Sequence, residues 1–418
     1  MSTLLRLTAA SLRNRRLTAA LTMLSIALSV ALLLGVERLR EETRAGFAAT
    51  VSGTDLIVGA RSSPAHLMLS SVFHIGNPTN SIRPESHDWV AARPEVAWTI
   101  PLALGDSHRG YRVLGTTDAF FTHYRFGEGR GLAFSSGNAF TGERDAVLGA
   151  EVAARLGYRP GQRIVLAHGA GDVSFIEHDE QPFQVVGILR PTGTPVDRSV
   201  QVPLRGLALL HAAEQDEGDP LAAALHAGAG GDDTDTALTA ALVGLKQRSA
   251  ALGLQRTIGE YAGEPLTAVL PGPTLMEIWE IAGLAERALL GVSIMVVVVG
   301  LAGMLVALLT SLGERRREMA VLRAIGARPV HVFALILLEA VLLTLAGIVV
   351  GTLALQAGLH FGQDAILSTL GLPVAARWPS AHEGWLLLLV ASAGTLIGLL
   401  PAWRIYRHSL ADGMTPRL

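Results

Sequence analysis

The sequence predicts a polytopic α-helical membrane protein with four transmembrane helices and a large α+β extracytoplasmic domain between spans 1 and 2. Half of the 418 residues are hydrophobic and the mean hydropathy is +0.39, which is too apolar for an ordinary soluble protein. Four apolar runs are long enough to cross a bilayer, which takes about 20 residues. About 250 residues of mixed polarity separate the first run from the second, enough for one or two domains.

The predicted spans are residues 17–36, 288–312, 330–356 and 385–403. The first could be mistaken for a cleaved signal peptide, because Arg13, Arg15 and Arg16 precede it. A charged segment, ERLREETR, follows it where a small-residue cleavage site would stand. The first run is therefore predicted to remain as an uncleaved span.

The distribution of arginine predicts the orientation, because cytoplasmic loops are enriched in Lys and Arg. Arginines precede the first span, crowd the segment between the second and third, and follow the fourth. The segment between the third and fourth spans holds only Arg377. The predicted cytoplasmic parts are the amphipathic segment 1–16, the loop 313–329 and the tail 404–418, and the predicted outer parts are 37–287 and the short periplasmic loop 357–384.

The outer region is predicted to be rich in strands, because short apolar or alternating runs are bounded there by Gly, Pro and Asp. The predicted strands are 54–60, 97–104, 111–116, 145–150, 162–168, 182–190 and 198–204. A helix is predicted at 149–157. A helical insertion is predicted at about 218–255, from LAAALHA (221–227) and LTAALVGLKQRSAALGL (238–254). Residues 37–273 are thus predicted to form an α+β core domain.

Two helical stalks are predicted to join this domain to the membrane. Thr274 stands three residues before Glu277, which is a capping-box spacing. The helical apolar pattern then continues through Glu280 to the end of the second span, so one helix over 274–312 would be about 58 Å long. This exceeds a hydrocarbon core of about 30 Å, and the excess is predicted to stand outside. Residues 37–49 can extend the first span in the same way.

The basic segment GERRREMAVLRAIGARP (313–329) is predicted to form a short helix between the second and third spans. Met319, Leu322 and Ile325 or Gly326 would share one face, with arginines on the remainder. One interpretation is a positive anchor that only fixes the topology. However, an anchor needs charge alone. A helix with both an apolar face and arginines is suited to docking on a partner protein.

Several segments carry a resemblance to a known family. They are RRREMAVLRAIGARPVHVFALILLEAVLLTLAGIVVG (315–351), LRLTAASLRNRRLTAALTMLSIALSVALLL (5–34), LLPAWRIYRHSLADGM (399–414), AVLGAEVAARLGYRPGQRIVL (146–166) and PFQVVGIL (182–189). In pattern and order they resemble the FtsX-like ABC transporter permeases, the group that includes the macrolide-exporter and lipoprotein-releasing types. The last two resemble the periplasmic core domain of that family. The resemblance covers most of the chain.

The resemblance implies the permease subunit of an ABC transporter in the bacterial inner membrane, driven by a cytoplasmic ABC ATPase. A P-loop needs a lysine after glycine, and the sole lysine, Lys246, follows leucine in the outer region. The chain also starts almost at the membrane, so we expect the ATPase on a separate chain and no catalysis by this one. The expected ATPase-coupling residues are Glu314, Arg316, Arg317, Met319, Leu322, Arg323, Ile325 and Gly326. The other expected partners are a second permease subunit, as a homodimer, membrane lipids, and an adaptor or lipoprotein in the periplasm.

Two features inside the spans allow more than one interpretation. Glu339 lies about 14 Å into the third span by helical rise, and carboxylates inside membranes are usually functional or paired. A structural contact is the simpler interpretation, because nothing else ionisable lies deeper to form a proton path. Gly347 and Gly351 form a small-xxx-small motif, which could serve a dimer contact or packing within one subunit.

Other chemistry has little support in the sequence. The chain has no cysteine, which excludes disulfides and Cys-based zinc sites, and its formal net charge of -2 does not suggest nucleic acid. Histidines are scattered through the outer region, and Glu177 to Glu180 (EHDE) could bind a metal, but no pair has the HExxH spacing. No metal or other cofactor is therefore predicted.

Three classes of function are compatible with the sequence. The first is a transporter subunit that exports or extracts a substrate by mechanotransmission. The second is a regulatory mechanotransmitter that activates a periplasmic partner, such as a cell-wall hydrolase, without transport. The large outer domain favours the first. The third, a stand-alone membrane enzyme, is disfavoured because no GxSxG or similar catalytic motif is present.

Overall fold

The computed structural model describes residues 6, 8, 12–13, 15–78, 80–168, 182–218, 237–324, 327–370 and 376–407. The chain divides into two compact units. The membrane unit comprises Met1–Thr43 and Gly283–Leu418, and the α+β unit comprises Arg44–Ala282.

The elements follow one another along the chain as a long helix, a mixed α+β region and three more long helices. The helices are α1 (Arg16–Thr50), α2 (Pro64–Ser71), α3 (Pro84–Ala91), α4 (Ala119–His123), α5 (Ala150–Leu156), α6 (Leu204–Gly218), α7 (Ala251–Gly259), α8 (Pro271–Ala324), α9 (Pro329–Leu370) and α10 (Ala381–Arg407). The strands are β1 (Leu56–Ala60), β2 (Val96–His108), β3 (Tyr111–Thr116), β4 (Arg125–Phe126), β5 (Arg130–Gly131), β6 (Phe134–Gly137), β7 (Asp145–Leu148), β8 (Arg163–Ile164), β9 (Ala167–His168), β10 (Phe183–Leu189), β11 (Ser199–Pro203), β12 (Ala240–Leu245) and β13 (Leu266–Val269).

Within the described parts of the chain, four helices are long and apolar enough to cross a membrane. They lie in α1, α8, α9 and α10, so the four predicted spans are confirmed. Residues on all four helices meet in one apolar core, whose members include Ile26, Met304, Leu343 and Val390. Many apolar side chains on these helices are exposed, as the Leu residues along α1 illustrate.

The helices are longer than the sequence predicts, and three boundaries were wrong. α8 begins at Pro271 because proline is well tolerated in the first turn, so the proposed capping box at Thr274 does not start it. It also runs through Gly313 to Ala324, because one glycine costs only about 1 kcal/mol among good helix formers. α9 continues to Leu370 within the predicted loop 357–384, where Leu, Ala and Gln sustain the helix.

The α+β unit is built on a mixed sheet with the strand order β13-β1-β12-β2-β3-β11-β7-β10-β6. β3 pairs in parallel with β11, and β7 pairs in parallel with β10, while the other pairs along this path are antiparallel. β8 and β9 attach to β10 and β2. The predicted strands are confirmed, except that 162–168 forms the two short strands β8 and β9 with a break between them.

Helices cover both faces of this sheet, so its central strands are buried on two sides. On β1, Leu56 faces the core that includes residues of α3, α5, α6 and α7. Its neighbour Ile57 faces the core that includes residues of α2 and α4, together with Phe47 of α1 and Leu275 of α8. This alternation is the two-residue period of a strand.

The predicted helical insertion was wrong at residues 240–245. These residues form β12, which pairs with β1 and β2 in the middle of the sheet. A short apolar run buried on both faces has no distinct period, so the sequence could not separate strand from helix here. Gly244 also allows the Trp98 ring to pack against the strand, where any side chain would clash. The helical part of the run is α7, and LAAALHA (221–227) lies outside the described residues.

Candidate functional site

The predicted coupling segment continues the α8 helix rather than forming a separate helix. Glu314, Arg316, Arg317, Met319, Leu322 and Arg323 all lie on the last turns of α8, where the structure describes the backbone only. Ile325 and Gly326 lie outside the described residues. The role of all eight residues in coupling therefore stays a prediction.

Inside the α+β unit, the end of α1 and the start of α8 pack against each other. The ring centroids of Phe47 and Trp279 are 5.4 Å apart, and Phe73 lies 4.3 Å from Phe47. The guanidinium of Arg44 lies 5.3 Å from the centre of the Trp279 ring, which adds a cation–π contact. Both helices are thus anchored in the core of this unit. The predicted stalk residue Glu280 is exposed one position beyond Trp279.

Within the membrane unit, glycines bring the helices into close contact. A Cβ atom on Gly351 of α9 would overlap the backbone of Ala27 on α1, and one on Gly347 would lie 2.6 Å from Ile26. The small-xxx-small motif therefore packs against α1 of the same chain. The α1 side chain Ser29 donates a hydrogen bond of 3.1 Å to the Val296 carbonyl of α8.

Glu339 is buried on α9, and its carboxylate is not isolated. A buried carboxylate with a partner fits a structural contact, because an unpaired charge inside a membrane is costly. The functional role of Glu339 stays open as a prediction.

Charged side chains that the sequence analysis did not single out form a cluster in the membrane unit. Arg38 of α1 makes a bidentate ion pair with Glu383 of α10, with distances of 3.0 Å from Nε to Oε1 and 3.3 Å from Nη2 to Oε2. Both side chains are almost completely buried. The sequence did hold a signal, because Ser380 and Glu383 have the capping-box spacing at the start of the fourth span.

His108 of the α+β unit acts as a structural group. His108 Nδ1 lies 2.6 Å from the Val165 carbonyl and its Nε2 lies 3.1 Å from the Tyr158 hydroxyl. Burial lowers the pKa of His108, so the neutral ring is favoured. Burial, together with nearby Arg112, lowers the pKa of His74 to about 4. Among the described residues no group of three or more His, Asp or Glu could hold a metal, and Glu177 to Glu180 lie outside them.

These features define a multi-pass membrane protein with a large extracytoplasmic α+β domain inserted between its first two spans. Residues 19–241 match the family model of the MacB-like periplasmic core domain, and residues 290–410 match that of the FtsX-like permease C-terminal region. The first match covers more than half of the 418 residues. The chain belongs to this family, the FtsX-like permeases with a MacB-like periplasmic core domain.

Individual relatives match over shorter stretches. A protein of Syntrophobacter fumaroxidans (strain DSM 10017 / MPOB), named macrolide export ATP-binding/permease protein MacB, is 28% identical over 180 residues. The match covers 40% of this chain and 24% of the relative, so this chain spans about a quarter of that protein's length.

Two solved structures are also similar. The periplasmic region of MacB from Actinobacillus actinomycetemcomitans has a TM-score of 0.33 at 12% identity, covering 55% of this chain and 94% of that one. The extracellular domain of the noncanonic ABC-type transporter YknZ from Gram-positive bacteria has a TM-score of 0.30 at 13% identity, covering 52% and 98%.

Proposed function

We propose that this chain is the transmembrane subunit of an ABC transporter, and that it converts ATP hydrolysis by a cytoplasmic ATPase into conformational work on the periplasmic side. The observation that carries the proposal is the order of the two family matches: a MacB-like core domain followed by an FtsX-like permease region. The name of the Syntrophobacter relative joins ATP binding to a permease, which supports an ATPase partner for this chain.

The long helices favour mechanical coupling. α1 and α8 each run without interruption from a predicted span to residues packed in the core of the α+β unit. An unbroken helix resists bending, so a displacement at one end is passed to the other as a rigid-body motion. We infer that the work delivered outside is the movement of the core domain, which would export or extract a substrate.

The ATPase would bind the inner end of α8. Because the segment from Glu314 to Arg323 continues the second span as one helix, a push on it acts directly on α8. Met319 and Leu322 would enter an apolar groove of the ATPase, with Arg316, Arg317 and Arg323 at the rim. A buried apolar anchor contributes more to such a contact than exposed rim charges do.

Aromatic side chains support a bilayer orientation for α10. Trp385 and Trp403 are exposed near its two ends, and Trp residues favour membrane interfaces. They are 18 positions apart in the printed sequence, about 27 Å along a helix, which matches a hydrocarbon core. With the arginine distribution, this supports an inner-membrane protein with both termini in the cytoplasm.

The experiment is co-purification of an ABC ATPase with the tagged chain from membranes, together with ATP turnover of the complex. Leu322→Ala should lose more ATPase than Arg323→Ala, because it removes the proposed buried anchor. Leu388→Ala, at an exposed position of α10, is the matched control and should retain wild-type recruitment. If the wild-type chain recruits no ATPase, or Leu322→Ala and Met319→Ala both recruit it normally, the docking proposal is wrong. Turnover that activates a periplasmic hydrolase without moving a substrate would replace export by the regulatory role.

A further inference from the structure

The outer end of α1 is tied to the start of α10 by the charge cluster of the membrane unit. Its centre is the bidentate ion pair of Arg38 and Glu383, in which Arg38 is 1% and Glu383 0% exposed. The two residues are 345 positions apart in sequence, so the pair joins distant parts of the chain. Arg38 lies six positions before Arg44, where the α+β unit begins.

Glu383 is fixed by a second interaction. Its Oε2 accepts a hydrogen bond of 3.1 Å from the Ser380 backbone N–H, and its own N–H donates to the Ser380 hydroxyl at 3.3 Å. This reciprocal arrangement is a capping box at the start of α10. The carboxylate that receives Arg38 is therefore held in one position by the helix that carries it.

A second set of contacts surrounds this pair. Arg377, which precedes α10, makes an ion pair with Glu41 of α1 and lies 3.7 Å from Glu42 and 3.8 Å from Glu383. The carbonyl of Arg377 also accepts a hydrogen bond from Gln356 of α9. The contacts thus join α1 to both α9 and α10.

Another carboxylate of α1 extends the cluster. Glu37 is buried, and its Oε1 lies 2.7 Å from Nη2 of Arg40 and 3.3 Å from Nε2 of His382. His382 is the neighbour of Glu383 in the first turn of α10. Glu37 therefore gives α1 a second contact with the first turn of α10, beside the pair of Arg38 and Glu383.

Stability alone does not explain a buried ion pair here. Replacing such a pair by well-packed apolar residues is often neutral or stabilising, because both charges must be desolvated. What a bidentate Arg–carboxylate pair adds is a fixed geometry, since both donors and both acceptors must align. The pair thus specifies one arrangement of the two helices.

α8 differs from α1 at this end of the membrane unit. Its apolar residues Leu284, Leu289, Val292 and Met295 are exposed, and its contribution to the apolar core begins at Val297. α1 is held to the start of α10 by the charge cluster, while α8 exposes these four apolar side chains in the turns before its contribution to the apolar core.

We propose that Arg38 and Glu383, with Arg377, Glu41 and Gln356, form an outer clamp that makes α1, α9 and α10 move as one body while α8 shifts against them. This inference rests on the proposed function, in which the motion is driven by an ATPase. Arg38 and Glu383 are positioning residues: they fix α1 against α10 within the membrane unit, so that a displacement of α8 becomes a movement relative to the other three helices.

The absence of cysteine from the chain allows spin labels to be attached at chosen sites without background. One label pair joins Leu32→Cys on α1 to Phe361→Cys on α9, and a second joins Leu284→Cys on α8 to Phe361→Cys, with all three sites exposed and in the membrane unit. Distances are measured by pulsed electron resonance in the full chain in nanodiscs, alone and with the ATPase trapped with ATP. In the otherwise wild-type chain, the α1–α9 distance should be narrow and unchanged by ATP, and the α8–α9 distance should shift.

The main variant is the double substitution Arg38→Met with Glu383→Gln. It removes both buried charges, and glutamine keeps the capping box, so the protein should fold and recruit the ATPase as the wild type does. The distribution of α1–α9 distances should nevertheless broaden and change with ATP. ATP turnover should then no longer produce outer movement. Single variants leave one buried charge unpaired and should lose folded protein. Ser380→Ala breaks the cap alone and should leave the α1–α9 distance narrow.

A double variant with wild-type distances and wild-type coupling would overturn the clamp, because the pair would then serve stability only. A wild-type α1–α9 distance that is already broad, or that shifts with ATP, would overturn it as well. The measurement without the ATPase separates this inference from the proposed function. A narrow distance that broadens in the double variant supports the clamp even in a chain that recruits no ATPase.

Discussion

At the residue scale, Gly351 shows how closely two membrane helices approach each other. Its Cα faces the backbone of Ala27, where no side-chain atom fits. We expect Gly351→Ala to destabilise the membrane unit by about 1–3 kcal/mol, which is the usual cost of overpacking. Thermal unfolding of the full chain in detergent measures the effect.

The matched control for this substitution is Gly303→Ala on α8. A Cβ atom there would meet nothing within 4 Å. The better helix propensity of alanine should make this variant neutral or more stable, by up to about 1 kcal/mol. Equal melting temperatures for the two variants would contradict the close contact of α1 with α9.

His74 provides a prediction of pH dependence at the same scale. Burial, and then the charge of Arg112, lowers its pKa from 6.5 to about 4 in the folded state. Because the unfolded chain then binds the proton more readily, the contribution of His74 to stability is complete above pH 6.5 and is lost as the pH falls towards 4. With a discount for partial solvent exposure, the loss is about 2 kcal/mol.

The test replaces His74 by a residue that does not titrate. His74 has a φ of 56°, in the left-handed region, which asparagine tolerates better than most residues. His74→Asn should therefore fold and show a flatter dependence of unfolding free energy on pH between 6.5 and 4. His66→Asn, on the neighbouring helix α2, controls for the loss of one imidazole. An unchanged slope in His74→Asn would show that the low pKa does not govern acid stability.

At the element scale, α8 is one helix from Pro271 to Ala324. The sequence predicted most of this length from its apolar period, but expected a stop near Gly313. The stop fails because Glu, Arg, Met and Ala after Gly313 all favour helix. A continuous α8 makes the proposed coupling segment and the stalk parts of a single element.

Glu280→Pro tests whether this continuity matters for function. The side chain of Glu280 is exposed, so the substitution removes no packing, but proline inside a helix costs about 3 kcal/mol locally and kinks it. We expect the complex to assemble and hydrolyse ATP while the outer movement, followed by a spin label at exposed Met276 on the outer side of the substitution, is lost. Glu280→Ala keeps the helix and should behave as the wild type. Full outer movement in Glu280→Pro would argue against a rigid stalk.

At the scale of the whole molecule, the orientation in the membrane is the first property to test. The arginine distribution predicts that residues 37–287 lie outside and 313–329 inside. A cysteine at exposed Leu252 should react with a membrane-impermeant maleimide in intact cells, and one at Ala327 should react only after the membrane is opened. The reverse pattern would invert the orientation and remove the basis for coupling through α8.

The fold followed from the sequence where a single physical signal dominated. Apolar length predicted the four spans, and short apolar or alternating runs bounded by turn residues predicted β1, β3, β10 and β11. Signals that compete locally did not suffice. The run at 240–245 is apolar on both faces and became β12 because neighbouring strands supplied its hydrogen bonds. The capping-box spacing of Ser380 and Glu383 is visible in the sequence, but the pairing of Glu383 with Arg38 could not be predicted, because the two residues are 345 positions apart.

The sequence by itself determined which segments can cross a membrane, which can form strands, and that no cysteine is present. These properties depend on the local balance of apolar and polar groups, which is written along the chain. Only the tertiary structure decided which helix packs against Gly351 and which carboxylate pairs with Arg38. Such contacts depend on distance in space, and burial makes their geometry matter because an unpaired charge or an overlapping atom has no solvent to relieve it.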